Sequence, residues 1–345
     1  MKLALLFGGA SYEHEISIVS AITVKGKLKG FDLSFIFCDQ DHRFYLVDAS
    51  KMKATTFSRG EHLKMPQIFL TNGGFEQRGL FGSKMHTMPI LNIIHGGDGE
   101  DGSIAALFDF YGISFIGPRK EASMFSFDKH YTKWLANSLG VKTLPFEAIT
   151  QDKRNAIATP YPFIVKPSRL GSSIGVSIVR EPSELEYALD VGFEFDEVLL
   201  IEPFISGVKE YNLAGFSARG EITYSIVEEP QKAEFLDFEK KYLDFSRSST
   251  VAEASISEAL VKQLQNAFKT IYSPLFEGAL IRCDFFEIEG EVYLNEVNPI
   301  PGSMANYLFE DFNGSITKLL GALPTKKEIR VQYDYIHSIS CAKGK

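Results

Sequence analysis

The chain has 345 residues, enough for two to three domains at about 150 residues each. Its 45% hydrophobic and 23% charged residues are ordinary globular usage and exclude disorder, collagen-like repeats and coiled coil. The 36 Lys and Arg against 44 Asp and Glu leave a formal charge of -8, so no global positive field draws in nucleic acid or an anionic membrane, and any bound anion must be held locally.

The apolar run over residues 2–7 meets Gly8 and Gly9 too soon for a secretory or membrane segment, which predicts a cytoplasmic protein opening on a strand. A tight turn and a helix from Ser17 to about Lys29 follow. Further β-like runs at Leu33–Phe37, Pro89–Ile94 and Ile113–Ile116 flank a helical pattern over Ser103–Tyr111. Together they predict a parallel sheet with crossover helices in a first domain ending near Gly117-Pro118. In such sheets ligands meet the loops at the carboxyl ends of strands, which makes 8–15 and 95–102 candidates.

After Pro118 the pattern predicts a helix over Ser126–Leu139, strands at 162–166, 175–179 and 197–201, and a helical EPSELEYALD: a compact mixed α/β unit. A third unit starts near Ser206-Gly207, with strands around Tyr211–Ser217 and Glu221–Ile226, a helix over Ile256–Tyr272, and strands at Ala279–Ile288 and Glu291–Val297. Within it Glu228–Ser255 is too long and irregular for an ordinary connection and reads as a lid or an unordered insert. The three cysteines, Cys38, Cys283 and Cys341, are far apart and form no CxxC, which argues against a disulfide framework or a structural zinc site.

Three stretches carry chemistry. FIVKPSRLGSSIGVSIV, 163–179, puts Lys166 at a strand end before a loop of Gly171, Ser172, Ser173 and Gly175; it reads either as a plain turn or as a cradle of N–H and hydroxyl groups for phosphate. RCDFFEIEGEVYLNEVNPIPG puts Arg282 and Asp284 on one strand and Glu296 and Asn298 on the next; spacing of two keeps each pair on one face. These hard oxygen donors suit Mg²⁺, and the alternative is a hairpin face with an Arg/Asp ion pair. HGGDGEDGS, 95–103, gathers His95, Asp98, Glu100 and Asp101 among glycines; a capped turn explains Asp101 and Ser103 but not His95. The turn GGASYEHEIS lacks GxGxxG, and Glu13 suits a cationic ligand group better than a pyrophosphate.

These motifs, GGxSxEHEIS at 8–17, HGxxGEDG at 95–102, Asp128-Lys129, VKPSRxGSSxGVS at 165–177, Lys241-Tyr242 and RCDFF with NEVNPIPG between 282 and 302, together resemble the D-alanine:D-alanine ligases of the ATP-grasp superfamily. The resemblance implies an α/β ATP-grasp fold: an N-terminal parallel-sheet, Rossmann-like domain (1–119), then central (120–205) and C-terminal (206–345) mixed α/β domains. It implies ligation of two D-alanines at the cost of ATP, through an acyl phosphate on the first, for peptidoglycan precursors. By similarity Glu13 holds the ammonium of the first D-alanine with His95 nearby, while Arg282 and backbone N–H groups near Gly302 stabilise the oxyanion.

The resemblance further implies that Lys129, Lys166, Ser173 and Lys241 meet phosphates, and that Glu202, Phe204, Ile205 and Glu210 lie at the adenine and ribose. Asp284, Glu296 and Asn298 match the ligands of two Mg²⁺ ions, with Mn²⁺ as a substitute, and 228–255 matches a mobile ω-loop. Tyr242 would join Ser172 and Glu13 in a hydrogen-bonded triad that marks an amide product over D-alanyl-D-lactate. Leu170, Phe204 and the Val208-Lys209 insertion depart from the family pattern. So does Tyr307, which with Leu308 falls near the second D-alanine subsite. A homodimer is implied, with neither nucleic acid nor membrane as partner. Another ATP-grasp carboxylate–amine ligase would lack the first two motifs, a regulatory module without catalysis would have lost Arg282, Asp284 or Glu296, and a dehydrogenase would need the absent dinucleotide fingerprint.

Overall fold

The computed structural model describes residues 1–80, 82–154, 156–230, 251–327 and 329–343. The fully buried run Leu3–Phe7 forms the centre of β1 (Lys2–Gly8), a strand covered on both faces, which is why its sequence is apolar without alternation. The chain crosses through α1 (His14–Lys27) to β2 (Asp32–Cys38), and β1 also pairs in parallel with β7 (Ile90–Asn92). From there α3 (Ser103–Phe110) leads to β8 (Phe115–Ile116), also parallel.

Between β2 and β7 the chain adds strands that the apolar pattern did not predict: β3 (Phe44–Val47), β4 (Gln67–Thr71), β5 (Gly74–Gly79) and β6 (Gly82–His86), with a short α2 (Ala54–Ser58) among them. They extend the parallel strands by antiparallel pairing into one sheet of order β6-β5-β4-β3-β2-β1-β7-β8. The β4–β5 hairpin turns on Asn72-Gly73, with Gly73 in left-handed backbone at φ 76°, which glycine adopts without strain.

The helix expected over Ser126–Leu139 is two helices, α4 (Lys120–Phe127) and α5 (Lys129–Ser138). Asp128 breaks them: its backbone is extended and its carboxylate accepts from His130 N, capping α5. A sheet of order β11-β10-β12-β9 follows, from β9 (Glu147–Thr150), β10 (Phe163–Pro167), β11 (Ser177–Val179) and β12 (Val198–Pro203), with α6 (Leu185–Phe193) on it. The last sheet has order β14-β13-β15-β16, from β13 (Lys209–Ala218), β14 (Glu221–Glu228), β15 (Leu280–Ile288) and β16 (Glu291–Asn298). Against it packs α7 (Glu258–Tyr272), started by a Ser257 cap, whose Leu264 and Phe268 fill the core with Tyr211 and Phe285.

Residues 302–308 form an irregular turn, followed by α8 (Phe312–Leu320) and an exposed α9 (Asp334–Lys343). Ile300, Met304, Leu308 and Phe312 pack with Leu5, Phe7, Ala214 and Phe216, so one apolar cluster joins the first sheet to the last. At roughly 1.5–3 kcal/mol for each fully buried large side chain, this shared core holds the 302–308 turn against α1. No helix among the described residues is long and apolar enough to cross a membrane.

Candidate active site

Glu13 stands at the N-cap of α1, 5% exposed, on a turn opened by Gly8 and Gly9 at φ 101° and 86°. Ser172 Oγ donates to Glu13 Oε1 at 2.6 Å, and Glu13 Oε2 is buried without a hydrogen bond among the described residues. Burial raises the Glu13 pKa, Glu100 adds to the rise, and Ser172 and His95 oppose it. An incoming ammonium would favour the ionised form and complete the coordination of Oε2.

Next to it His95 is 4% exposed, with Nε2 3.0 Å from Ser20 Oγ and Nδ1 3.6 Å from Glu100 Oε1. Burial pushes the imidazole down to about 4 and the Glu100 carboxyl up to about 8, so at neutral pH the pair is a neutral dyad and not an ion pair. Ser20 Oγ also accepts from Ser303 N at 3.1 Å, tying α1 to the 302–308 turn. The rest of this loop is structural: Asp98 Oδ2 accepts from Ala10 N at 2.6 Å, and Asp101 Oδ1 accepts from Ser103 N at 2.8 Å.

The Gly/Ser loop leaves β10 with Ser172, Ser173 and Gly175 in left-handed backbone at φ 56°, 58° and 70°, its tight turns closed by Ile174 N donating to Gly171 O and Val176 N to Ser173 O. Arg169 anchors the loop by a fork to Asp196, at 3.1 and 2.5 Å to Oδ1. Lys129, the first residue of α5, donates to Leu170 O at 2.6 Å and lies 3.9 Å from Glu296 Oε2. A Cβ at Gly171 would lie 2.9 Å from Glu13 Oε1, so the close approach needs glycine there.

Across the β15–β16 hairpin Asp284 faces Glu296 and Arg282 faces Asn298. Arg282 forks onto Asp284, Nε to Oδ1 at 2.6 Å and Nη2 to Oδ2 at 2.7 Å, and its Nη1 donates to Tyr307 Oη at 3.2 Å. Asn298 Nδ2 donates to Asp284 Oδ2 at 3.0 Å. Burial raises Asp284 and Arg282 opposes the rise; the two-point contact holds the pair ionised, with Arg282 pushed well above its usual range. The Arg/Asp ion pair and the carboxylate pair therefore coexist on one hairpin face.

A divalent cation fits this donor set in part. Asp284 Oδ1 accepts from Arg282 Nε, and the charge of Glu296 across the hairpin raises the Asp284 pKa. Among the described residues no three His, Cys, Asp or Glu side chains gather to hold a metal, so the chain offers two carboxylates and an amide, the minority share that Mg²⁺ takes when water and phosphate supply the rest.

Lys166 Nζ lies 3.2 Å from Glu202 Oε2 and 3.3 Å from Asn295 Oδ1, and Lys133 Nζ lies 3.3 Å from Glu202 Oε1. Asn295 sits where the β15–β16 register slips between Asp284 and Phe285; this bulge turns its amide to Lys166. Neither Asn295 nor Lys133 was a sequence candidate, although Lys133 is one helical turn beyond Lys129. Phe204 and Ile205, past the end of β12, are half-buried, as is Glu210 on β13.

The 302–308 turn carries Ser303, Met304 and Ala305 in left-handed backbone at φ 48°, 55° and 48°, a strained path for residues with a Cβ that the buried cluster holds in place. Tyr307 is 8% exposed and closes on Arg282, whereas the Leu308 side chain is fully buried in the core. Lys241 and Tyr242 lie outside the described residues. Glu100, Lys129, Leu170, Gly171, Glu296 and Asn298, from all three sheet units, line one small cavity of about 30 Å³.

Two family models match the chain, "D-ala D-ala ligase N-terminus" over residues 2–118 and "D-ala D-ala ligase C-terminus" over 135–312. A D-alanine--D-alanine ligase of Sulfurimonas denitrificans is 63% identical over 345 residues, covering 100% of both chains. One from Campylobacter jejuni subsp. doylei is 53% identical over 346 residues, again covering 100% of each. The solved D-Alanine-D-Alanine ligase of Helicobacter pylori aligns at a TM-score of 0.85 and 48% identity, covering 95% of this chain and 100% of that one. The VanG D-Ala:D-Ser ligase of Enterococcus faecalis aligns at 0.75 and 25% identity, covering 93% and 97%. The chain has the ATP-grasp fold and belongs to the D-alanine–D-alanine ligase family.

Proposed function

We propose that this protein joins two D-alanines into D-alanyl-D-alanine with ATP as co-substrate, through a D-alanyl phosphate, releasing ADP and phosphate for cytoplasmic peptidoglycan precursor synthesis. The observation that carries the reading is the contact between Glu13 and Ser172, because it sets an amine-binding carboxylate against the phosphate-loop candidate. On this reading residues 1–119, 120–205 and 206–345 act as three domains, with the nucleotide between the second and third. A homodimer is part of the proposal.

In this scheme Glu13 Oε2 takes the ammonium of the first D-alanine, and the neutral His95 ring packs beside it without competing for the carboxylate. Lys129, Lys166 and the N–H groups of Ser172 and Ser173 hold phosphate oxygens, with Lys241 reaching the terminal one. A carboxylate is a poor acyl donor, and phosphorylation supplies its leaving group. When the amine of the second D-alanine attacks, charge builds on the acyl oxygen, where Arg282 and the backbone near Gly302 donate. Tyr307, held on Arg282, borders the second subsite.

Asp284, Glu296 and Asn298 would hold Mg²⁺ or Mn²⁺, whose chemistry when bound is to neutralise phosphate charge during transfer. Residues 228–255, with Tyr242 joining Ser172 and Glu13, would close over the site and keep water from the acyl phosphate. The test is release of phosphate and dipeptide from ATP, Mg²⁺ and D-alanine, beside L-alanine, D-lactate with D-alanine, and Glu296→Gln. Equal amounts of both products with D-alanine alone, and none with the variant, support the proposal. Turnover only with another acceptor overturns the substrate, and tight ATP binding without any turnover overturns catalysis.

A further inference from the structure

A second cavity, of about 360 Å³, lies between the first turn of α7 and the ends of β13 and β15, and no step above uses it. Its volume is in the range of small-molecule sites. Side chains alternate along a strand, so Asn212, opposite Asp284 in the register, belongs to the face of the candidate active site. Lys209, Tyr211 and Glu287 belong to the other face, where Tyr211 and Phe285 pack on α7. The cavity and the candidate active site are thus on opposite faces of one sheet.

The groups around this cavity lack partners that such groups normally have. Tyr211 is 1% exposed, yet its hydroxyl makes no hydrogen bond among the described residues, which is unusual for a buried phenol. Burial raises the Tyr211 pKa, and the charges of Glu229 and Glu287 add to the rise, so the hydroxyl stands on the Glu287 side. Lys209 and Glu287 are opposite charges placed directly across the β13–β15 register, a placement that favours an ion pair, and among the described residues they form none. Glu287 Oε1 accepts from Gly290 N at 2.7 Å, which leaves Oε2 for another donor. At the start of α7, Ser257 Oγ accepts from Leu260 N, while the N–H groups of Glu258 and Ala259 make no hydrogen bond among the described residues. The positive end of the helix therefore borders the cavity through Ser257 and Ala259.

Both signs of charge meet at this one place. Lys209 and the α7 N-terminus attract a carboxylate, whereas Glu287 and the Tyr211 oxygen accept from an ammonium. Ile256 and Leu260, both half-buried, add an apolar wall. A simple anion would meet the Glu287 carboxylate and a simple cation would meet Lys209, so only a ligand that carries both charges satisfies both. We infer that this cavity is a second binding site, separate from the candidate active site, for a small zwitterion: an ammonium and a carboxylate on a short apolar frame, as in a free amino acid or a dipeptide.

The experiment is calorimetric titration of the full chain with L-leucine and with L-alanyl-L-alanine, beside 4-methylpentanoate and 3-methylbutylamine, which keep the leucine frame with one charge each. The proteins are the wild type, K209M, E287Q, Y211F and, to mark binding at the candidate active site, Glu296→Gln. At least one zwitterion is expected to bind saturably at about millimolar concentration or below. Each one-charge compound is expected to bind about tenfold more weakly, and K209M and E287Q to weaken the zwitterion by a similar factor, with a smaller loss in Y211F. E287Q keeps the Gly290 bond through its amide oxygen, so its loss reads the charge and not the fold. Glu296→Gln is expected to bind as the wild type does, and amide exchange over residues 255–263 to slow on binding in the wild type and not in E287Q. Tighter binding of leucine assigns free amino acids and tighter binding of the dipeptide assigns short peptides; either supports the site. No saturable binding, equal binding of the one-charge compounds, or binding that survives K209M and E287Q but is lost in Glu296→Gln overturns it.

Discussion

Ser172 Oγ donates to Glu13 Oε1 at 2.6 Å although 159 positions of chain separate the two residues. The bond joins the N-cap of α1 to the Gly/Ser loop after β10, so a substrate group held by Glu13 is positioned by the element proposed to hold phosphate. Ser172→Ala is expected to raise KM for D-alanine by about 10- to 100-fold, the worth of a hydrogen bond to a buried charged group. Initial-rate kinetics at saturating ATP check this, and an unchanged KM would detach the loop from the amine subsite.

Gly171→Ala probes the same contact sterically. The new Cβ would lie 2.9 Å from Glu13 Oε1, and Gly171 is not among the positive-φ residues, so the backbone accepts alanine and the carboxylate must shift. The expected result is weaker D-alanine binding with a thermal midpoint close to that of the parent. A large loss of stability instead would place the strain in the backbone.

The proposed reading gives Arg282 two roles that substitution separates. Arg282→Met removes a donor to the proposed oxyanion and is expected to lower kcat by about 10²–10³-fold. It also strips Asp284 of its fork, and breaking a buried pair in this way costs about 3–5 kcal/mol. The double variant Arg282→Met with Asp284→Asn is expected to recover much of that stability in denaturant melts and none of the rate.

The Glu100–His95 dyad gives a signed pH effect. Glu100 is raised to about 8 by burial, so between 4.5 and 8 the folded state keeps a proton that the unfolded state releases, and stability falls as pH rises through that window. His95 is lowered to about 4, so its contribution runs the other way, rising from pH 4 to 6.5 and then ending. From pH 6.5 to 8 Glu100 is the member of the dyad that still contributes a slope, at up to ~1 kcal/mol per pH unit. Melts of the parent against Glu100→Gln over that range are expected to show the steeper fall in the parent; equal slopes would mean that Glu100 is ionised in the fold.

Much of the site was legible because its chemistry lies in strand-end loops of distinctive composition. The two-residue spacing of Arg282 with Asp284 and of Glu296 with Asn298 put both pairs on one hairpin face, which the cross-strand register of Asp284 with Glu296 bears out. What the apolar pattern missed has identifiable causes. Strands β5 and β6, GFEQRG and GSKMH, have little apolar alternation because half or more of their residues are not buried, and backbone pairing holds them. Their local signal was the Asn72-Gly73 turn, which hydropathy ignores. The helix break at Asp128 was hidden because the residues around it are helix-compatible, and only the cap on His130 N marks it.

By itself the sequence determined the family and the apolar core strands and named the candidate site groups, since those depend on residue type and on short spacings. Only the tertiary structure decided which groups touch. Glu13 with Ser172, Arg282 with Tyr307, Ser20 with both His95 and Ser303, and Lys133 with Glu202 are contacts between residues far apart in the chain. The physical reason is that burial sets the charge of each group. The Glu100 carboxyl near 8, the His95 ring near 4 and the twice-paired Glu202 have protonation states set by the neighbours and the water that folding brings or removes, which no local stretch of sequence encodes.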